Sequence, residues 1–271
     1  MSFTPVIPFG GFAGWTFLKR TMATQQTALA ASPEQKRDTA YFREKIGSVT
    51  SAEQLVGDRR LLKVALGAFG LEADLNNRFF IRKVLEEGTL KDGALALRLA
   101  DPRYREMSAA FGFGNFSVPN TKLSDFADKT LAAYAERRFE SAVGQQNDTM
   151  RLALNAEREV ASLARRGTSE DTKWFSIMGS RPLREVFQTV LGLPRSFASI
   201  DIDQQLTVLK DKTEATFGAS SVSQFTDPKQ LDKLVRLYLT RSDLAASAGS
   251  SQNSLVAQLL QAGSFGPSRL R

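Results

Sequence analysis

An all-α, multihelical fold of two quasi-repeated helical units joined by a long central helix is what this 271-residue sequence predicts, on three observations. The first is internal. Gly57, Arg59, Leu61, Val64, Gly70 and Leu71 recur as Gly179, Arg181, Leu183, Val186, Gly192 and Leu193, all at one offset (181 − 59 = 122) without a gap. Self-similarity of this kind marks a duplicated structural unit. The second is the absence of any run of alternating apolar and polar residues between hairpin turns, which leaves strands no clear place. The third is a series of helix starts and stops written in local chemistry. A further pair of landmarks, Asp101-Pro102 and Asp227-Pro228, follows the repeat at nearly the same spacing.

Residues 1–31 read as an N-terminal arm followed by a short amphipathic helix from Trp15 to about Thr27, with Trp15, Leu18 and Met22 at helical spacing. Residues 32–123 form the first unit. Ser32-Pro33-Glu34-Gln35 places Ser at N-cap, Pro at N1 and Gln at N3, a helix start. That helix carries Tyr41, Phe42 and Ile46 inward and stops at Gly47. Ser51 repeats the capping logic, and Asp58 then caps a helix from Arg59 to Phe69 that Gly70 closes in the left-handed conformation. Leu62, Leu66 and Phe69, flanked by Leu61, Ala65 and Ala68, make its face almost wholly apolar. A helix from Leu75 to Glu87, a short segment from Ala94 to Leu99, and a helix from Asp101-Pro102 to Phe111 complete the unit before Gly112, Gly114 and Pro119 break the chain.

Between Ser124 and Arg166 there is no proline and one glycine, Gly144, so residues 124–166 read as one long connecting helix or two nearly collinear ones hinged at 144–148. Residues 167–243 form the second unit. Ser169 caps a helix bearing Trp174, Phe175 and Ile177, and Ser180 caps the counterpart of the central helix. Ser199 or Asp201 opens a helix to Phe217, and Asp227-Pro228 opens the last one, to Leu239. Residues 244–271 read as a flexible tail: an Ala/Ser/Gly/Gln-rich linker from Ala245 to Ser254, a short apolar helix on Leu255, Leu259 and Leu260, and a basic end at Arg269 and Arg271.

Composition narrows the chemistry. Hydrophobic content of 42% and charged content of 24% are those of a globular chain. The net charge of +7 and pI near 9.7 come from Lys and Arg interspersed with Asp and Glu, which describes a solvated surface better than a nucleic-acid footprint. Nucleic acid is therefore the less favoured partner. There are no cysteines and no histidines. Their absence removes thiol nucleophiles, thiolate metal sites, Ser-His-Asp and Cys-His triads, and the commonest metal ligand and general base. No apolar run reaches the length of a membrane-spanning helix. The N-terminal stretch carries its Lys19-Arg20 after the apolar part instead of before it, so a cleavable signal peptide is not expected.

No motif supplies what composition withholds. Gly112-Phe-Gly114 lacks the third glycine of a dinucleotide fingerprint and follows a helix; it reads as a loop. Asp58-Arg59-Arg60 could grip an anion, but Asp58 is accounted for as a cap, and the recurrence of Arg59 as Arg181 argues for one scaffold role in both units. Glu86-Glu87 and Asp201/Asp203 point apart on their helices. Arg78-Phe79-Phe80-Ile81-Arg82-Lys83 reads as a buried stripe with a solvated flank. No catalytic, cofactor-binding or metal-ligating residue is assigned, no cofactor is implied, and the chain is expected not to be an enzyme. The unusual density is aromatic and N-terminal: Phe9, Phe12, Trp15, Phe17 and Leu18 are the candidate partner-binding residues. Two readings of them stand open, an arm folded back over the core and an exposed docking or export segment.

The segments Tyr41-Phe42-Arg43-Glu44, Asp58-Arg59-Arg60-Leu61-Leu62 through Leu71, Phe80-Ile81-Arg82-Lys83-Val84-Leu85-Glu86 and Leu99-Ala100-Asp101-Pro102-Arg103-Tyr104 resemble the bacterial family of domain of unknown function 1217, roughly over Phe9 to Leu239. The resemblance implies an all-helical, internally duplicated fold, an alphaproteobacterial setting and association with flagellar gene clusters, and it brings no catalytic residues. The second unit departs from the first in having Pro182 where the first has its second arginine. The resulting expectation is a non-enzymatic flagellum-associated protein acting through protein–protein contacts with a flagellar or export-apparatus protein, either cytoplasmic or exported by the flagellar route. The alternative is a cytoplasmic adaptor or regulator binding an acidic partner or nucleic acid.

Overall fold

The computed structural model describes residues 3–262, with side chains through residue 247; Arg269 and Arg271 lie outside the described residues. Among the described residues there are thirteen α-helices and no strand. In chain order the first seven are α1 (Gly11–Ala30), α2 (Pro33–Lys45), α3 (Ala52–Gly57), α4 (Arg59–Phe69), α5 (Arg78–Glu87), α6 (Leu95–Arg98) and α7 (Pro102–Phe111). The remainder are α8 (Phe126–Gly144), α9 (Asp148–Ala164), α10 (Glu170–Gly179), α11 (Arg181–Leu191), α12 (Ile202–Phe217) and α13 (Pro228–Ala262).

The architecture follows from two matched central helices. In α4, Asp58 Oδ1 accepts from the N–H groups of Arg60 (2.9 Å) and Leu61 (3.1 Å), while Tyr41 donates its hydroxyl to Oδ2 at 2.6 Å. Burial of Asp58 raises the cost of its charge, but these three donors outweigh it and hold the carboxyl below its ordinary range. Asp58→Ala is expected to cost about 1–2 kcal/mol, read as a shift of the urea midpoint, because it orphans helix-terminal donors. At the other end Gly70 (φ 70°) and Gly192 (φ 64°) take the left-handed closing position of α4 and α11, where a side chain would be strained. The same turn is tied down in both units by an arginine from a later helix: Arg137 of α8 donates to the Ala68 carbonyl, and Arg241 of α13 donates to that of Val190, residues one repeat apart.

This pairing sets the equivalence of the units. α4 packs between α2 and α8, and α11 between α9 and α13. α13 therefore stands to α11 as α8 stands to α4. The landmark Asp101-Pro102 opens α7, which lies against α5 and α6, so the two Asp-Pro pairs start helices of different station. Local chemistry made them alike; tertiary position does not.

Two apolar cores result. One gathers Phe42, Leu55, Leu62, Leu66, Val84, Phe111, Leu131 and Tyr134 among others; the second gathers Trp15, Leu18, Phe139, Val143, Val160, Trp174, Phe187, Phe225 and Leu239. α8 belongs to both, its first half facing one core and its second half the other. Gly67 lies directly under the Tyr134 ring, where a Cβ would come within 2.6 Å of ring carbon, so α8 crosses α4 at closest approach there.

The long connecting helix of 124–166 is not what forms. α8 and α9 fold back on each other as an antiparallel hairpin, with Arg137 against Glu159 and Arg158 against Glu140. The break needs no proline: Asn147 accepts from the Met150 N–H at 2.9 Å and so starts a new helix, while its own N–H closes the old one on the Val143 carbonyl. Two further corrections concern the flanks. The N-terminal helix is longer than the spacing of its apolar residues indicates, and the helix opened at Pro228 continues to Ala262, through the stretch that composition marks as a linker.

Candidate binding surfaces

The arm is the first candidate, and the structure spreads its residues between core and surface. Trp15 and Leu18 are buried in the second core, Phe12 is half-buried beneath the Arg236 guanidinium, and Phe17 is half-buried beside Arg20. Phe9 alone of the five is open, at 61% exposure. The extended segment ahead of α1 is fixed by side-chain amides: Gln25 both accepts from the Val6 N–H (2.8 Å) and donates to its carbonyl (3.1 Å), and Gln146 donates to the Pro5 carbonyl. Phe3 reaches the Phe139 ring. Trp15 and Leu18 thus serve folding in this conformation, because α1 closes the second core against α13 and α8.

The charges between the units form a second candidate. Arg158 holds the Glu140 carboxylate with a two-pronged contact (2.7 and 2.9 Å) and also pairs with Glu159, which in turn receives Arg137 at 3.0 Å. Arg166 reaches from the end of α9 to Glu106 of α7 at 2.6 Å. Burial pushes the Glu159 carboxyl up, and the guanidiniums of Arg158 and Arg137 outweigh it and hold the group below the usual carboxylate range. Each of these charges is spent on another, and the adjoining cavity of about 50 Å³ has room for little more than water. The cluster is a brace between α8 and α9.

Two other surfaces are not so satisfied. At one end of the first unit Asn115 accepts from the N–H groups of Thr89 (2.7 Å) and Leu90 (3.3 Å), bringing the 88–93 loop against the 112–119 loop. This edge leaves Leu90 (70%), Phe116 (51%) and Val118 (65%) exposed. Phe79 on α5, which helical spacing assigns to a buried stripe, is 80% exposed; its neighbours Phe80, Ile81 and Val84 turn inward instead. On the second unit, a groove of about 430 Å³ runs along α11, lined by Arg181, Arg184, Gln188 and Arg195. Arg181 lacks the contact its repeat partner has: Arg59 donates to Asn76 Oδ1 at 3.1 Å. One scaffold role for both arginines does not hold. Among the described residues no group of three or more potential metal-ligating side chains occurs, and no helix is long and apolar enough to cross a membrane.

Comparison with known proteins agrees with this architecture. Over 89% of this chain and 99% of the other, the fold is similar to that of a structural-genomics protein from Agrobacterium tumefaciens solved by X-ray crystallography, with a TM-score of 0.73 and 24% identity. That likeness is one of fold. No curated protein matches. The model of the family described as "Protein of unknown function (DUF1217)" matches residues 68–231, from the last turn of α4 into α13, so the Asp58–Leu62 stretch lies ahead of it. A match across more than half its length shows that the chain belongs to the DUF1217 family.

Proposed function

We propose that the chain is a non-enzymatic, flagellum-associated protein that works by contact with another protein. The observation that carries the contact reading is the open apolar edge of the first unit at Leu90, Phe116 and Val118. Exposed apolar groups gathered on neighbouring loops, here the two that Asn115 ties together, mark interaction surfaces. The flagellar setting rests on the family resemblance, and the absence of His and Cys from the sequence supports the non-enzymatic part.

The experiment uses the full-length gene in its own host. Deletion is expected to reduce swimming in soft agar. Restoring the gene with Leu90→Ser and Phe116→Ser together is expected to leave the melting temperature of the purified protein within a few degrees of wild type and to fail to restore swimming. Normal swimming of the deletion strain would sink the flagellar reading; full rescue by the double variant would sink the apolar edge as the contact. The arm is best probed by Phe9→Ser, since removing residues 1–20 would take Trp15 and Leu18 out of the core.

A further inference from the structure

The repeat offers a control that most grooves lack. At the constant offset, α11 residues Arg184, Glu185, Gln188 and Thr189 correspond to Leu62, Lys63, Leu66 and Gly67 of α4. In the first unit those positions are covered. Leu62 and Leu66 are fully buried, Lys63 pairs with Glu34 and Asp38 of α2 at 2.7 Å each, and Gly67 meets Tyr134 of α8. In the second unit the same face is open and has changed character from apolar to polar, and Arg181 and Arg195 beside it give the groove its excess of positive charge.

The groove's cations are unspent. Among the described residues no carboxylate pairs with Arg181, Arg184 or Arg195, and Arg184 makes one long contact, 3.4 Å, to the Met178 carbonyl. The arginines of the brace, Arg137, Arg158 and Arg166, are by contrast all paired with carboxylates. The Gln188 side-chain N–H group is buried with no acceptor, which is a costly state unless something supplies one. Arg181, Arg184 and Gln188 form one stripe at helical spacing, spanning about 10 Å of α11.

We propose that this groove binds an acidic protein segment, a short run of carboxylate side chains. Guanidiniums grip carboxylates two-pronged, and a stripe about 10 Å long matches about three residues of extended chain. Leu193 and Ala198 supply an apolar wall for the aliphatic part of such side chains. No aromatic side chain lines the groove, so nucleic-acid bases would have no stacking platform. The lone carboxylate in the lining, Glu185, would oppose a compact polyphosphate more strongly than a spaced row of single charges. This inference concerns a different face from the apolar edge and does not depend on it.

The test is fluorescence anisotropy on the full chain with a labelled hexaglutamate peptide, using hexalysine as control and tripolyphosphate and an oligothymidine strand as competitors. The expected result is salt-sensitive binding of hexaglutamate, weakened about tenfold or more by Arg184→Glu with Arg195→Glu and strengthened by Glu185→Gln. If Arg184→Glu, whose site is half-buried, disturbs the melt, the exposed Arg195→Glu alone carries the test. Absence of peptide binding to the wild type would overturn the proposal. So would displacement of the peptide by tripolyphosphate or oligothymidine at lower concentration than by unlabelled hexaglutamate, which would make the groove a phosphate or nucleic-acid site.

Discussion

Leu66→Asp is expected to abolish cooperative folding of the first unit. Leu66 is fully buried on the face of α4 that meets the first core. The substitution forfeits about 1.5–3 kcal/mol of apolar burial and places a carboxylate among the apolar side chains of the core, for several kcal/mol more. Together these rival the whole stability of an ordinary domain, about 5–15 kcal/mol. The readout can be divided between units, because both tryptophans, Trp15 and Trp174, lie in the second core. Helicity by circular dichroism should fall by the share of the first unit. Tryptophan emission then reports whether the second core survives alone or collapses with the first. Emission that stays blue-shifted would mean that two cores sharing α8 unfold separately; a joint loss would mean that the shared helix makes them one cooperative block. An unchanged melt by both signals would show that the buried face of α4 has been misassigned.

How far such a prediction could be made without coordinates depends on the range of the interaction involved. The ends of α4 were legible because Asp58 and Gly70 act on their own helix, and the closing glycine of α11 was legible for the same reason. Ser180, by contrast, occupies the N-cap position of α11 without a side-chain hydrogen bond, so the right boundary came from a group that does not act as the cap rule supposes. The hairpin was hidden because nothing in the residues 144–148 forbids a helix. Its two arms share one apolar core, Phe139 and Val143 of α8 with Val160 and Leu163 of α9, and Arg158 meets Glu140 and Arg137 meets Glu159 across the bend, contacts that no spacing rule connects. Phe79 was misread for a related reason: a helix presents more apolar residues than its neighbours can cover, and which one is left out is decided by tertiary position. The basic groove was half visible. The recurrence of Arg59 as Arg181 drew attention to what the units share, whereas the informative positions are those where they differ, Leu62 against Arg184 and Leu66 against Gln188. Even so, the sequence does not reveal that the second unit leaves that face uncovered.

Glu159→Gln is expected to weaken the protein toward the lower end of about 3–5 kcal/mol, the usual cost of breaking a buried ion pair by removing one partner. The geometry explains why the loss falls on the junction. Glu159 receives both Arg137 and Arg158, so neutralising it leaves two largely buried guanidiniums close together with Glu140 as the remaining carboxylate of the cluster. Arg158 keeps its two-pronged contact to Glu140, and Arg137 keeps the Ala68 carbonyl, which places the effect below complete loss of the brace. The pH dependence follows from the direction of the Glu159 shift. A carboxyl held below its ordinary value of 4.5 in the folded state stabilises the protein fully at pH values above that figure and loses the contribution as pH falls through its folded value. The gap between wild type and Glu159→Gln should therefore be constant from neutral pH down to about pH 5 and close below pH 4.5, when urea midpoints of the two are compared across the range. A gap that persisted undiminished at the lowest pH where both remain folded would mean that Glu159 acts through shape and hydrogen bonding, not charge. Arg158→Lys separates the matter further: a lysine keeps the charge but loses the fork, so a loss comparable to that of Glu159→Gln would assign the brace to two-pronged geometry between α8 and α9.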